Sequence, residues 1–157
     1  MNWRSKVGIF WMVGLGLVLV SVGLLFAPSL PTVTTNLVVY KATSCGCCSA
    51  WVTHMEKNGF TVKVEEVADV TAIKRQLGVP PSMDSCHTGV IGNYLVEGHV
   101  PAEDVLRLLA EKPSVKGIAV PGMPTGSPGM EVPGQKPDTY HVITFTTEGQ
   151  SWLFAKH

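Results

Sequence analysis

Three of the four cysteines fall within four residues, Cys45-Gly46-Cys47-Cys48, directly after the apolar run Leu37-Val38-Val39-Tyr40, and the fourth, Cys86, adjoins His87. Thiolate sulfur and imidazole nitrogen are the donors that soft and borderline metal ions select. Cys45 and Cys48 also form a Cys-x-x-Cys pair, which at a strand-to-helix turn is the layout of a thiol redox site. Free amides and the macrodipole at a helix start stabilise a thiolate, which serves either chemistry. Cys47 separates the two. Dithiol exchange needs one attacking and one resolving sulfur, whereas a third thiol in the same turn lets sulfurs converge on a metal ion or bridge between ions. A purely structural framework of two disulfides fits poorly, because it would spread its cysteines, and Cys47 with Cys48 could pair only as a strained vicinal bridge.

The elements that must position these residues read as follows. Leu37 to Lys41 is β-rich, Ser49 to Asn58 has helical spacing with Trp51, Val52 and Met55 on one side, and Gly59 closes it. Thr61 to Val67 alternates as a strand, and these three pieces form a βαβ unit. Val70 to Leu77 is a second helix, ended by Gly78 and by Pro80-Pro81. Two short strands, His87 to Ile91 and Tyr94 to Glu97, flank a Gly92-Asn93 turn. Ala102 to Lys112 is a third helix with Val105, Leu108 and Leu109 facing a core. From Gly117 to Pro137 the chain is rich in Gly and Pro, a loop long enough to be functional. Tyr140 to Thr146 and Ser151 to Ala155 form a terminal hairpin. The order βαβ-α-ββα is that of a thioredoxin or glutaredoxin core, so the fold class is α/β, thioredoxin-like, with a Gly/Pro-rich loop and a C-terminal β-hairpin.

In such a core the loop before the third strand lies against the turn that carries the first cysteines, so Cys86 and His87 are expected opposite Cys45, Cys47 and Cys48. For His99, in Gly98-His99-Val100-Pro101, a residue that helps cap the next helix is favoured over a ligand. Met123 and Met130 lie seven residues apart in a loop where no periodicity explains an apolar side chain, and thioether sulfur is a ligand for Cu(I). Plugging the loop onto the core is the alternative for both, and Met83 has the same ambiguity. His54 is expected at the surface, and His141 and His157 have no support from their neighbours. Thiolates with imidazole and optional thioethers select copper over magnesium, calcium or manganese, with zinc the rival.

Arg4 and Lys6 precede an uncharged apolar stretch from Val7 to Phe26, long enough at about 20 residues to cross a bilayer. The expected layout is an N-terminal transmembrane or signal helix at 1–27, a linker at 28–36 and a metal-binding domain at 37–157. An uncleaved anchor is favoured over a cleaved signal, because no small-x-small site follows. Either way the basic end stays inside and the rest is exported. Twelve Lys+Arg balance twelve Asp+Glu, so no basic field exists for nucleic acid. No nucleophile elbow, phosphate-binding glycine loop or His-Glu-x-x-His motif is present, which disfavours a hydrolase or nucleotide enzyme.

Tyr40-Lys41, Cys45-Gly46-Cys47-Cys48, Trp51, His54-Met55, Gly59-Phe60, Gly78-Val79-Pro80, Ser85-Cys86-His87-Thr88, Glu97 to Ala102 and Ala119 to Glu131 together resemble the CopG-type periplasmic copper-resistance proteins. The match runs from about residue 37 to the C-terminus. The resemblance implies a thioredoxin-like fold and a site in which cysteine sulfurs bridge several copper ions, with a role in copper resistance and copper redox cycling. Its ligands by motif are Cys45, Cys47, Cys48, Cys86 and His87; Met123, Met130 and His99 match marked family positions without an assigned role. Ala42-Thr43-Ser44 stands where family members often carry a proline, a difference that removes no ligand. Copper ions, the bacterial inner membrane through the N-terminal segment, and periplasmic copper-handling proteins are the implied partners. The site would lie in the periplasm, on an anchored chain or on one released by cleavage. Two other classes stay open: a thiol-disulfide oxidoreductase using Cys45 and Cys48, and a zinc-binding structural module.

Overall fold

The computed structural model describes residues 35–157. The expected membrane segment and most of the linker lie outside the described residues, and among the described residues no helix is long and apolar enough to cross a membrane. The chain runs β1 (Asn36–Lys41), α1 (Gly46–Lys57), β2 (Thr61–Glu66), α2 (Val70–Leu77), a 3-10 turn (Pro81–Met83), β3 (His87–Ile91), β4 (Tyr94–Glu97), α3 (Ala102–Glu111), β5 (Gly117–Ala119), β6 (His141–Phe145) and β7 (Ser151–Lys156). The α/β class and the expected order of the first seven elements are therefore observed. Asn36, read as the end of the linker, is the first residue of β1.

All seven strands share one mixed sheet in the order β2-β1-β3-β4-β5-β6-β7. β1 pairs parallel with β2, as a βαβ crossover requires, and antiparallel with β3. Successive residues in a strand point to opposite faces, so each central strand feeds two cores. Ile91, Val96, Ile118 and Val142 join Trp51, Met55, Val105 and Leu108 under α1 and α3. Their neighbours Val90, Leu95, Ala119 and Ile143 join Val79, Met83 and Phe145 on the other face. Met83 thus belongs to the second core, which settles its ambiguity in favour of packing.

The element that sequence reading absorbed into the loop is β5. Its three residues are too few for a periodic signal, and they are strand because β4 and β6 supply partners on both sides. Gly117 is required there: a Cβ would lie 2.2 Å from the Leu95 carbonyl oxygen. By inserting between β4 and β6, β5 attaches the C-terminal hairpin to the sheet and starts the Gly/Pro-rich segment close to the cysteines.

Candidate metal centre

The turn after β1 delivers Cys45 as the N-cap of α1, where its Sγ accepts a hydrogen bond from the Cys48 amide at 3.3 Å. Cys45 and Cys48, with Cα atoms 5.3 Å apart, form a disulfide, while Cys47 and Cys86 are free. Cys47 Sγ lies between the two halves of the site, 3.6 Å from Cys45 Sγ and 3.9 Å from Cys86 Sγ. Two thiolates sharing one ion at metal–sulfur distances near 2.3 Å stand about 3.8–4.0 Å apart at tetrahedral to trigonal angles. The Cys47–Cys86 spacing therefore matches ligands of a common ion, which Cys45 joins only once its disulfide is reduced.

Cys86 comes from the irregular stretch that enters β3, and it is the vertex of a second donor group. Its Sγ lies 2.9 Å from His99 Nε2 and 3.3 Å from His87 Nδ1. Cys45, Cys47, Cys48 and Cys86 form one convergent set and Cys86, His87 and His99 another, the donor atoms of each set lying within 4.8 Å of one another. The five ligands expected from sequence, Cys45, Cys47, Cys48, Cys86 and His87, are therefore brought together. His99, for which helix capping was favoured from sequence, instead lies directly beside them.

His99 is oriented by the Gly/Pro-rich loop. Its Nδ1 is 2.8 Å from the Pro128 carbonyl oxygen, which can only accept, so Nδ1 carries the proton and Nε2 presents a lone pair toward Cys86. The loop is seated by Gly129, whose absent Cβ would lie 2.7 Å from the Trp51 amide nitrogen and 2.8 Å from the Cys47 carbonyl oxygen. Met123 and Met130 ride on this loop. Met123 is 54% exposed beside Gly122, whose amide bonds the Asp84 carbonyl at 3.1 Å, and Met130 is half-buried, closing a turn with Gly126 at 3.0 Å.

His87 is fully buried against Trp51, ring centroids 4.3 Å apart, and edge-on to His99 at 5.0 Å. Trp51 is fixed in turn by its indole N–H, which donates to the Val100 carbonyl at 2.8 Å. His87 Nε2 has no hydrogen-bond partner among the described residues, so the fold leaves one nitrogen unsatisfied while holding the other against Cys86 Sγ. Burial drives the electrostatics. It pushes the Cys86 thiol up to about 12, with nearby Cys47 adding to the effect. Burial holds His87 well below its usual range and lowers His99 despite the opposing bond to Pro128. The imidazoles are thus neutral donors, and a metal must displace the Cys86 proton to bind.

Several contributors were missed from sequence. Lys74 and Glu97 form a buried ion pair behind the site, with Thr88 and Ser85 bonded to it. Both carried a readable signal: Lys74 sits on the apolar face of α2 with Val70 and Leu77, and Glu97 ends an otherwise apolar strand. His54, expected at the surface, is half-buried and its Nε2 accepts the Ala102 amide of α3 at 3.1 Å. His157 stacks on Tyr140 and bonds Asp104 at 2.7 Å, tying the chain end to α3. These pairs are 48 and 53 residues apart, beyond any local pattern.

Residues 83–130 match the family described as a protein of unknown function, DUF411. No curated protein matches the chain. Two solved structures, of a copper resistance protein CopG in Form 1 and Form 2, are each 50% identical over 78% of this chain, with a TM-score of 0.73. The match takes in 96% and 97% of those chains. With half the residues of the matched stretch identical over nearly the whole length of those chains, and with the cysteines and histidines converging as described, the chain belongs to the CopG family of copper resistance proteins.

Proposed function

We propose that this chain is an exported, thioredoxin-like copper-binding protein that holds Cu(I) through Cys45, Cys47, Cys48, Cys86 and His87, with His99 as a sixth donor. The observation that carries the reading is the position of Cys86 Sγ, 3.9 Å from Cys47 Sγ and 2.9 Å from His99 Nε2, so that one sulfur can join thiolate and imidazole ligation. Five donors around the bridging Cys86 sulfur suit more than one copper ion. The names of the two CopG structures support copper as the metal and resistance as the role. The basic and then apolar N-terminus supports export and tethering to the bacterial inner membrane, with the site in the periplasm.

The Cys45–Cys48 disulfide favours a redox component. When the reduced pair meets Cu(II), two copper ions each take one electron, the two sulfurs join, and the thiols release two protons. The products are two Cu(I) and the disulfide; a periplasmic dithiol returns the electrons. The same disulfide favours a second reading, thiol-disulfide exchange without metal, in which Cys47 is dispensable.

Anaerobic titration of the reduced full-length chain with Cu(I) against a competing chelator, with thiols counted afterwards, separates these. More than one copper per chain with all four thiols protected supports the copper site. No binding beyond the chelator, with a reversible disulfide forming instead, favours exchange, and tetrahedral occupancy by a single zinc ion with no response to copper favours a structural module.

A further inference from the structure

Behind the ligands lies a charged network that no donor chemistry requires. Lys74 and Glu97 are 4% and 0% exposed at the side chain, and Lys74 Nζ donates to Glu97 Oε1 at 2.5 Å and to Thr88 Oγ1 at 3.0 Å. Thr88 Oγ1 donates to Glu97 Oε2 at 2.6 Å, and the Ser85 amide donates to Glu97 Oε1 at 2.7 Å. One carboxylate thus accepts bonds from three residues on three segments: α2, the stretch entering β3, and β3 itself. Two of them, Ser85 and Thr88, bracket Cys86-His87, and Glu97 stands two residues before His99.

The stretch that leads into Cys86-His87 is fixed by side chains and loop contacts rather than by regular structure. Asp84, Ser85 and Cys86 lie in no helix or strand. Ser85 is instead pressed against Gly98, where φ is +73° and a Cβ would fall 2.4 Å from Ser85 Oγ. Its hydroxyl donates to the Gly122 carbonyl. A buried ion pair is weak evidence of stability, since well-packed apolar replacements are often neutral or stabilising. What the pair supplies here is position: it ties the backbone on either side of Cys86-His87 to the strand end that leads into His99.

We propose that Glu97, its charge balanced by Lys74, is a positioning residue that sets Cys86 against Cys47 and His99 without touching metal. The consequence for copper rests on the copper-binding reading; the positioning itself does not. In Lys74→Met/Glu97→Leu the net charge is unchanged and the core stays apolar, but the Ser85 and Thr88 bonds are lost. In Lys74→Met/Glu97→Gln the amide oxygen still accepts the Ser85 N–H and the amide nitrogen still reaches Thr88 Oγ1.

The test uses the reduced full-length chain and two readouts. The first is Cu(I) affinity by chelator competition, expected to fall about 10- to 100-fold in the Leu variant and to be largely restored in the Gln variant. The second is metal-free: pulse alkylation mapped by mass spectrometry, giving the Cys86-to-Cys47 labelling ratio, which is expected to rise severalfold in the Leu variant and return in the Gln variant. A folded Leu variant with an unchanged labelling ratio overturns the proposal, whatever its copper affinity. Should wild type bind no Cu(I), the copper reading fails while the ratio still decides the positioning. Should the Leu variant not fold, Thr88→Val, which removes one hydroxyl from the network, decides instead: a raised ratio supports the proposal and an unchanged one overturns it.

Discussion

The two halves of the site are built in opposite ways. Cys45, Cys47 and Cys48 are set by a single turn and the helix start that follows, within four residues of chain, and Cys45 and Cys47 stay partly open to solvent. Cys86, His87 and His99 come from stretches around β3 and β4, with both imidazoles fully buried, His87 packed against Trp51 of α1 and His99 bonded to the Pro128 carbonyl of the loop. The open half can change oxidation state with little movement, because a disulfide between an N-cap and the first helical turn needs only local adjustment. The buried half is a rigid donor set whose geometry depends on contacts far along the chain. A thiol turn alone suits exchange chemistry; the fixed nitrogens beside it suit retention of a metal ion.

The most damaging way to break that comparison is Cys86→Ser, since Cys86 is the only residue in both donor groups. We expect Cu(I) affinity to fall by more than about 100-fold, beyond what loss of a supporting partner produces, with stability nearly unchanged, as read by chelator competition and thermal melting. Cys45→Ser should be milder: it abolishes the disulfide and lowers copper stoichiometry, but leaves Cys47, Cys86 and the imidazoles to hold an ion, which metal analysis after desalting would show. If the two substitutions behave alike, the halves do not act separately.

Gly129→Ala sharpens the comparison by disturbing the seam between the halves, where the loop that holds His99 sits on the helix start that carries Cys47. The added Cβ would press on the Trp51 amide nitrogen and the Cys47 carbonyl oxygen, at 2.7 and 2.8 Å, with φ at +84°. We expect a loss of about 2 kcal/mol in denaturant unfolding, and a weakened Cu(I) site as Pro128 withdraws from His99.

The smallest effect is on acid stability. His54, His87 and His99 all have pKa values lowered from 6.5, each chiefly by burial. As pH falls below 6.5 the unfolded chain gains protons that the folded chain refuses, so stability contributed by these neutral imidazoles is present above that pH and lost below it. The slope reaches about 1.4 kcal/mol per pH unit for each imidazole involved. Urea midpoints of the metal-free chain should be flat from pH 8 to 7 in this respect and fall toward pH 5. His54→Gln, which retains an acceptor for the Ala102 amide, should make that fall shallower.

Much of this protein was legible in its sequence. Among the described residues, two of the three α-helices and both strands of the β3–β4 hairpin follow from hydrophobic period and Gly/Pro punctuation, and the first βαβ unit needs only its helix start moved back to Gly46. The thiol turn was legible too, because its ligands are neighbours in sequence and their geometry is set by one helix start. Sequence alone could not decide His99, because what makes it a donor is a carbonyl 29 residues away that fixes its tautomer. It could not find β5, whose three residues are strand only because partners stand on both sides. Nor could it join Lys74 to Glu97 across 23 residues. Local spacing determined which atoms could bind a metal; burial and long-range hydrogen bonds, which exist only once the sheet has formed, decided which of them converge.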